Sequence, residues 1–140
     1  MLENIYKETV TILNKLKRTD SLTTKDVWYK TVIHNAALYT DAEREAGSNS
    51  VFIGRYVTVL IPFSDTYLPY RDWRKFGNQD AHYTMSIGDY IVKGIVEEDI
   101  TAENIVRILQ GYGEDVCLVK YHNECYDRFG ATVQLKVQGV

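Results

Sequence analysis

The chain has 140 residues, 45% hydrophobic and 25% charged, with a net charge of −3. That length and balance suit one folded domain over residues 1–140 and exclude extended disorder. The acidic balance argues against sequence-independent affinity for nucleic acid, which needs clustered Lys and Arg. No apolar run approaches the roughly 20 residues of a membrane-spanning helix.

The first four residues, Met1-Leu2-Glu3-Asn4, carry an acid where a secretion signal has its apolar stretch, so a cytosolic protein is expected. Residues 2–16 fit two patterns. Leu2, Ile5, Thr9, Ile12, Leu13 and Leu16 share one helical face, yet Thr9-Val10-Thr11-Ile12 is β-branched throughout. The reading is a short turn followed by a strand near 8–16. Residues 18–25 (RTDSLTTK) form a polar loop, and 27–33 (VWYKTVI) a second strand, so the pair makes a long hairpin.

Residues 41–50 (DAEREAGSNS) have no apolar period and are expected as an exposed loop. The clearest strand is 51–63, where Val51, Ile53, Arg55, Val57, Val59 and Ile61 alternate with the opposite face and Pro62 marks the end. Residues 64–81 (SDTYLPYRDWRKFGNQDA) are a long insertion with three basic and three acidic side chains. Loops of that length usually signal function or disorder, and this one is neither low-complexity nor purely polar. Tyr67, Tyr70, Trp73 and Phe76 recur every three residues, which one helical turn brings to one side, with Arg71 and Arg74 between them. These six residues are the candidate contact surface.

Strands are expected at 82–87 and 89–97, joined at Gly88, with Gly94 as a bulge. One helix follows. Thr101 or Asp99 caps it, Ile105, Val106, Ile108 and Leu109 give its apolar stripe, and Gly111 and Gly113 stop it. Glu97, Glu98, Asp99 and Glu103 make an acidic, solvated entrance to that helix. Strands at 116–124 and 131–137, around a turn at 126–130, close the chain. The fold class is therefore mainly β with one α-helix: a small antiparallel barrel or sandwich with a long inserted loop.

A search for chemistry finds no motif. Cys117, His122 and Cys125, with His82 as a fourth ligand, lack the tight Cys pair of a zinc knuckle, and 117 and 122 fall on opposite faces of a strand. The two cysteines are expected as thiols rather than a disulfide. Cys125 or Ser64 with a histidine has no surrounding nucleophile signature. Gly111-Tyr112-Gly113 is a helix stop rather than a phosphate cradle. No catalytic, metal or cofactor residue is expected, so the protein is not expected to be an enzyme. Aromatic and basic residues interleave over 67–75, as in single-strand binders, but over the whole segment 64–81 three acids offset the three basic side chains. Eleven tyrosines against four phenylalanines suit half-buried faces and interfaces.

Three stretches carry a resemblance. Residues 8–15 (ETVTILNK) with 26–34 (DVWYKTVIH), 83–96 (YTMSIGDYIVKGIV), and the DRFG at 127–130 with Val137-Gln138-Gly139 resemble a family of neck proteins from phages and prophages of Firmicutes. The resemblance implies a virion protein similar to head-closure (stopper) subunits, a small β-barrel that forms a ring with copies of itself. Its implied partners are portal or adaptor and tail proteins, with packaged DNA passing through the lumen unbound. It implies no membrane contact, no cofactor and no individual functional residue.

Overall fold

The computed structural model describes residues 6–44, 53–126, 128–130 and 132–140. The chain forms β1 (Glu8–Leu16), β2 (Val27–Arg44), β3 (Ile53–Pro62), α1 (Tyr70–Trp73), β4 (Tyr90–Lys93), α2 (Ile105–Tyr112), a 3-10 turn (Gly113–Asp115), β5 (Val116–Tyr126) and β6 (Thr132–Gly139). The six strands close into one antiparallel barrel in the order β1-β2-β3-β6-β5-β4, with β4 returning to β1. A barrel is thus chosen over a sandwich. Two strands serve both halves of the wall. β2 pairs β1 over its first part and β3 from Ala37 onward, and β5 pairs β4 at its start and β6 afterwards.

Two apolar clusters hold the wall from opposite sides. Val10, Ile12, Val59, Ile91, Val119 and Val137 are among the side chains filling the interior. On the outer face, Leu13 and Val92 pack with Val96, Ile100, Ile105 and Ile108, so α2 covers the β1–β4 side. β1 is therefore buried on both faces, and Val10 through Asn14 are all buried. This two-sided burial is why Ile12 and Leu13 are adjacent apolar residues, one in each cluster, instead of alternating with polar ones. Each large aliphatic side chain that α2 buries contributes about 1.5–3 kcal/mol.

Most expected elements are found, with five corrections. β1 occupies 8–16 as read, and the hairpin with β2 forms in antiparallel register from Leu16↔Val27 outward. β2 runs on to Arg44, so 41–44 are strand rather than loop, paired with 53–56 of β3. Residues 2–5 and 45–52 of the expected turn, loop and strand start lie outside the described residues. No strand forms at 82–87: a single parallel bridge joins Tyr83 to Tyr67. β4 ends at Lys93, and Gly94 (φ +95°) turns the chain away rather than making a bulge within a strand. Gly111 lies inside α2, and the stop is Gly113 (φ +57°). There are two α-helices among the described residues, because Tyr70–Trp73 adds one turn within the long insertion. At the start of the helical segment, the Thr101 hydroxyl accepts from Asn104 N–H (3.2 Å) and Asn104 Oδ1 accepts from Thr101 N–H (2.7 Å). That reciprocal pair has the form of a capping box.

Candidate functional site

The insertion between β3 and β4 is the part of the chain that sequence singles out, and it has two sides. Its inward side plugs the barrel. Tyr67 N–H donates to Ser64 O, Leu68 N–H to Tyr83 O and Tyr83 N–H to Thr66 O, so two short segments lie side by side. Tyr67, Tyr83 and Met85 then join the interior cluster, the two rings 5.7 Å apart. Burial and the Glu124 carboxylate push the Tyr67 phenol well above its usual range.

Pro69 precedes the single turn of α1; it has no N–H to lose and its φ of −56° already suits the helix. Trp73 is fully buried. Its ring meets Tyr29 edge-on at 5.7 Å and Tyr70 at 5.9 Å, and its Nε1–H donates to His82 O at 3.0 Å. Gln79 Nε2 donates to the Trp73 and Lys75 carbonyls, and Asn78 Nδ2 to the Asp72 carbonyl, satisfying the end of the turn. Tyr70 Oη donates to Asp20 Oδ2 (2.6 Å) and accepts from Lys17 N–H (3.2 Å). Burial, then Asp20, pushes its pKa up to about 12.

The six candidate contact residues therefore divide. Tyr67 and Trp73 belong to the packed interior, which corrects the reading of them as a docking surface. Tyr70 is half-buried as a strut between α1 and the β1–β2 loop. Arg71, Arg74 and Phe76 remain exposed, Arg74 within 3.4 Å of Asp20 and Phe76 at 89% exposure. The three-residue spacing misleads because α1 is only one turn long. Pro69 bounds it on one side, and on the other Gly77 (φ +90°) redirects the chain.

Two hollows open beside the insertion, and Tyr70 lines the second of them. One, about 380 Å³, is lined by Leu16, Leu22, Val27, Tyr29, Arg74 and Phe76 among others. Leu22 at its lip is 90% exposed. The other, about 490 Å³, lies between Lys17, Tyr67, His122, Glu124 and Tyr126. Burial lowers the His122 pKa, against the opposing pull of the Glu124 carboxylate. On the far side of the β1–β2 loop, Lys30 Nζ donates to the carbonyls of Glu97 and Glu98 while the acidic side chains there face solvent.

Sequence reasoning missed the device that fixes the plug to the wall. Asn14, inside the apolar run of β1, donates from Nδ2 to Thr84 O (2.7 Å) and to Asp89 Oδ2 (2.9 Å), and accepts from Thr84 N–H (3.2 Å). Asp89 also accepts from Lys15 N–H (3.1 Å) and Ser86 N–H (3.0 Å). The signal was available: an Asn and an Asp in otherwise apolar stretches, each buried to 1% exposure. Unpaired, such groups would be costly, so together they specify one register.

Burial outweighs these donors and raises the Asp89 pKa from 3.8 to about 6. The folded state then holds a proton that the unfolded chain has released, so the Asp89 contribution to stability falls as pH rises from about 4 to about 6 and is flat above. The shift corresponds to about 3 kcal/mol. Urea unfolding of wild type and Asp89→Asn across pH 4–7 should show their stability difference shrinking by an amount of this order as pH rises. A difference independent of pH would mean that Asp89 keeps an ordinary pKa.

The other candidates stay apart. Cys117 is buried in the wall, Cys125 is partly buried, and no disulfide joins them. Among the described residues no group of three His, Cys, Asp or Glu is placed to hold a metal. No described helix is long and apolar enough to cross a membrane. The Ser64 hydroxyl shares a hydrogen bond with Thr66 (2.7 Å).

These features define a mainly β protein: a closed six-stranded barrel with an internal plug and one helix on its outer wall. The chain belongs to a family of unknown function, DUF6751, whose model matches residues 5–140. Comparison with curated proteins and with solved structures finds no match.

Proposed function

We propose that this protein is a structural subunit of a tailed-phage particle, a ring-forming head–tail connector of the head-closure type. In this role it joins portal or adaptor to tail and helps retain packaged DNA. Adaptor and tail-terminator positions in the same neck are variants of the same reading.

The observation that carries it is the contrast between a closed, pinned barrel and the apolar side chains it leaves in solvent. A closed barrel has no free sheet edge along its wall to recruit partners. Leu22 and Phe76 nevertheless stand 90% and 89% exposed beside a hollow. Two such side chains on one concavity support a protein-binding surface there, since contiguous exposed apolar patches are where proteins associate. The phage assignment rests on the sequence resemblance. Its stretches at 8–15, 26–34 and 83–96 supply β1, the start of β2, β4 and the Asn14–Asp89 pin, which adjoin one another in the fold. The acidic entrance to α2 suits a surface that DNA passes without sticking.

Mass spectrometry of purified particles tests the proposal. The protein should be present at a copy number consistent with a ring, alongside portal and tail proteins. Its absence from purified virions would sink the reading.

A further inference from the structure

Among the described residues, the three most exposed large apolar side chains fall at two separate places. Leu22 (90%) and Phe76 (89%) are lips of the groove between the β1–β2 loop and the end of α1. Phe129 (80%) stands in the turn between β5 and β6. The groove is concave, and its floor is Leu16, Val27 and Tyr29. In that turn the Arg128 guanidinium lies 4.9 Å from the centre of the Phe129 ring.

The charges match as well. Asp80 lies in the groove lining, is exposed, and has no ion-pair partner among the described residues. The other groove carboxylate, Asp20, is already engaged by Arg74 and Tyr70. One acid is therefore left to receive a cation that arrives with an aromatic ring.

We infer that the Arg128–Phe129 tip of one copy inserts into the Leu22–Phe76 groove of the next, with Arg128 meeting Asp80. This deepens the ring reading above and rests on it. A knob and a socket at different places on one chain make a heterologous contact, which propagates head to tail and closes into a ring where the rotation permits. The buried aromatic is the anchor, and Leu22 and Phe76 exclude water around it.

The test uses the full chain in sedimentation velocity. Phe129→Asp breaks the knob, and Phe76→Asp combined with Leu22→Asp breaks the socket. Each variant should melt like wild type, since all three side chains are exposed. Each should raise the concentration needed for assembly by roughly 30-fold or more. Mixed together, the two variants should give a 1:1 heterodimer and nothing larger, because one good knob and one good socket remain. Arg128→Glu should weaken assembly and Asp80→Arg should restore it.

Wild type that assembles while the mixture stays monomeric would overturn the knob-and-socket contact and leave the ring reading standing. Variants that assemble as wild type does would have the same meaning. Wild type that stays monomeric at every concentration overturns the inference, and the virion measurement then decides the ring reading separately.

Discussion

Trp73→Ala is expected to destabilise the isolated chain by about 3–5 kcal/mol, the range for removing a fully buried aromatic. The side chain is 0% exposed and is held on three sides, by Tyr29, by Tyr70 and by the His82 carbonyl. Truncation leaves a cavity beneath α1 and strips the His82 carbonyl of its donor. The one-turn helix has little else to hold it, since helices this short are unstable without tertiary packing. Urea unfolding reads the loss directly. Trp73→Phe should recover part of it, because a ring returns without the N–H. A Trp73→Ala chain as stable as wild type would mean that the plug is not anchored through this residue.

The same residue shows where sequence reasoning stops. A tryptophan in a polar, irregular segment looks like an interface residue, because nothing local says what covers it. What covers it is Tyr29, more than 40 positions earlier on β2. Burial by a distant strand leaves no periodic trace in the segment itself. The wall was legible for the opposite reason. β3 is long, rich in β-branched residues and bounded by Pro62, so local signals and packing agree there; at β1 a helical face competed, and the β-branched run Thr9–Ile12 favoured the strand.

Failures elsewhere have the same physical origin. Residues 82–87 have strand-like composition, yet the backbone of Thr84 and Ser86 bonds to the side chains of Asn14 and Asp89 instead of to a neighbouring strand. Residues 41–44 are too polar to suggest a strand, but their ladder partners at 53–56 lie where β6 no longer pairs with β3. At the candidate contact surface, Arg71, Arg74 and Phe76 were legible as exposed. Leu22 was hidden in a stretch that is otherwise polar.

Gly139→Ala carries the other large expected effect, and it concerns closure of the barrel. Gly139 sits near the end of β6, opposite Val57 on β3 and Val119 on β5. A Cβ placed there would come within 2.0 Å of the Leu118 carbonyl oxygen and 2.8 Å of Cys117 Sγ. The sulfur can move, but the carbonyl cannot without opening the ladder. Leu118 N–H donates to Val140 O and Val140 N–H to Leu118 O on either side of the contact. Ordinary overpacking costs about 1–3 kcal/mol. With a backbone atom as the obstacle, the expected loss is at or beyond the top of that range. Gly111→Ala is the control: it lies in α2 with nothing within 4 Å of the added carbon, so it should stabilise by up to about 1 kcal/mol. Thermal and urea unfolding of both variants separates crowding at Gly139 from a general effect of replacing glycine. Parting β5 from β6 at this point also shifts the base of the hairpin that carries Arg128 and Phe129. On the head-to-tail contact inferred above, Gly139→Ala should therefore impair self-association at temperatures where the remainder of the barrel is still folded, while Gly111→Ala should leave it unchanged.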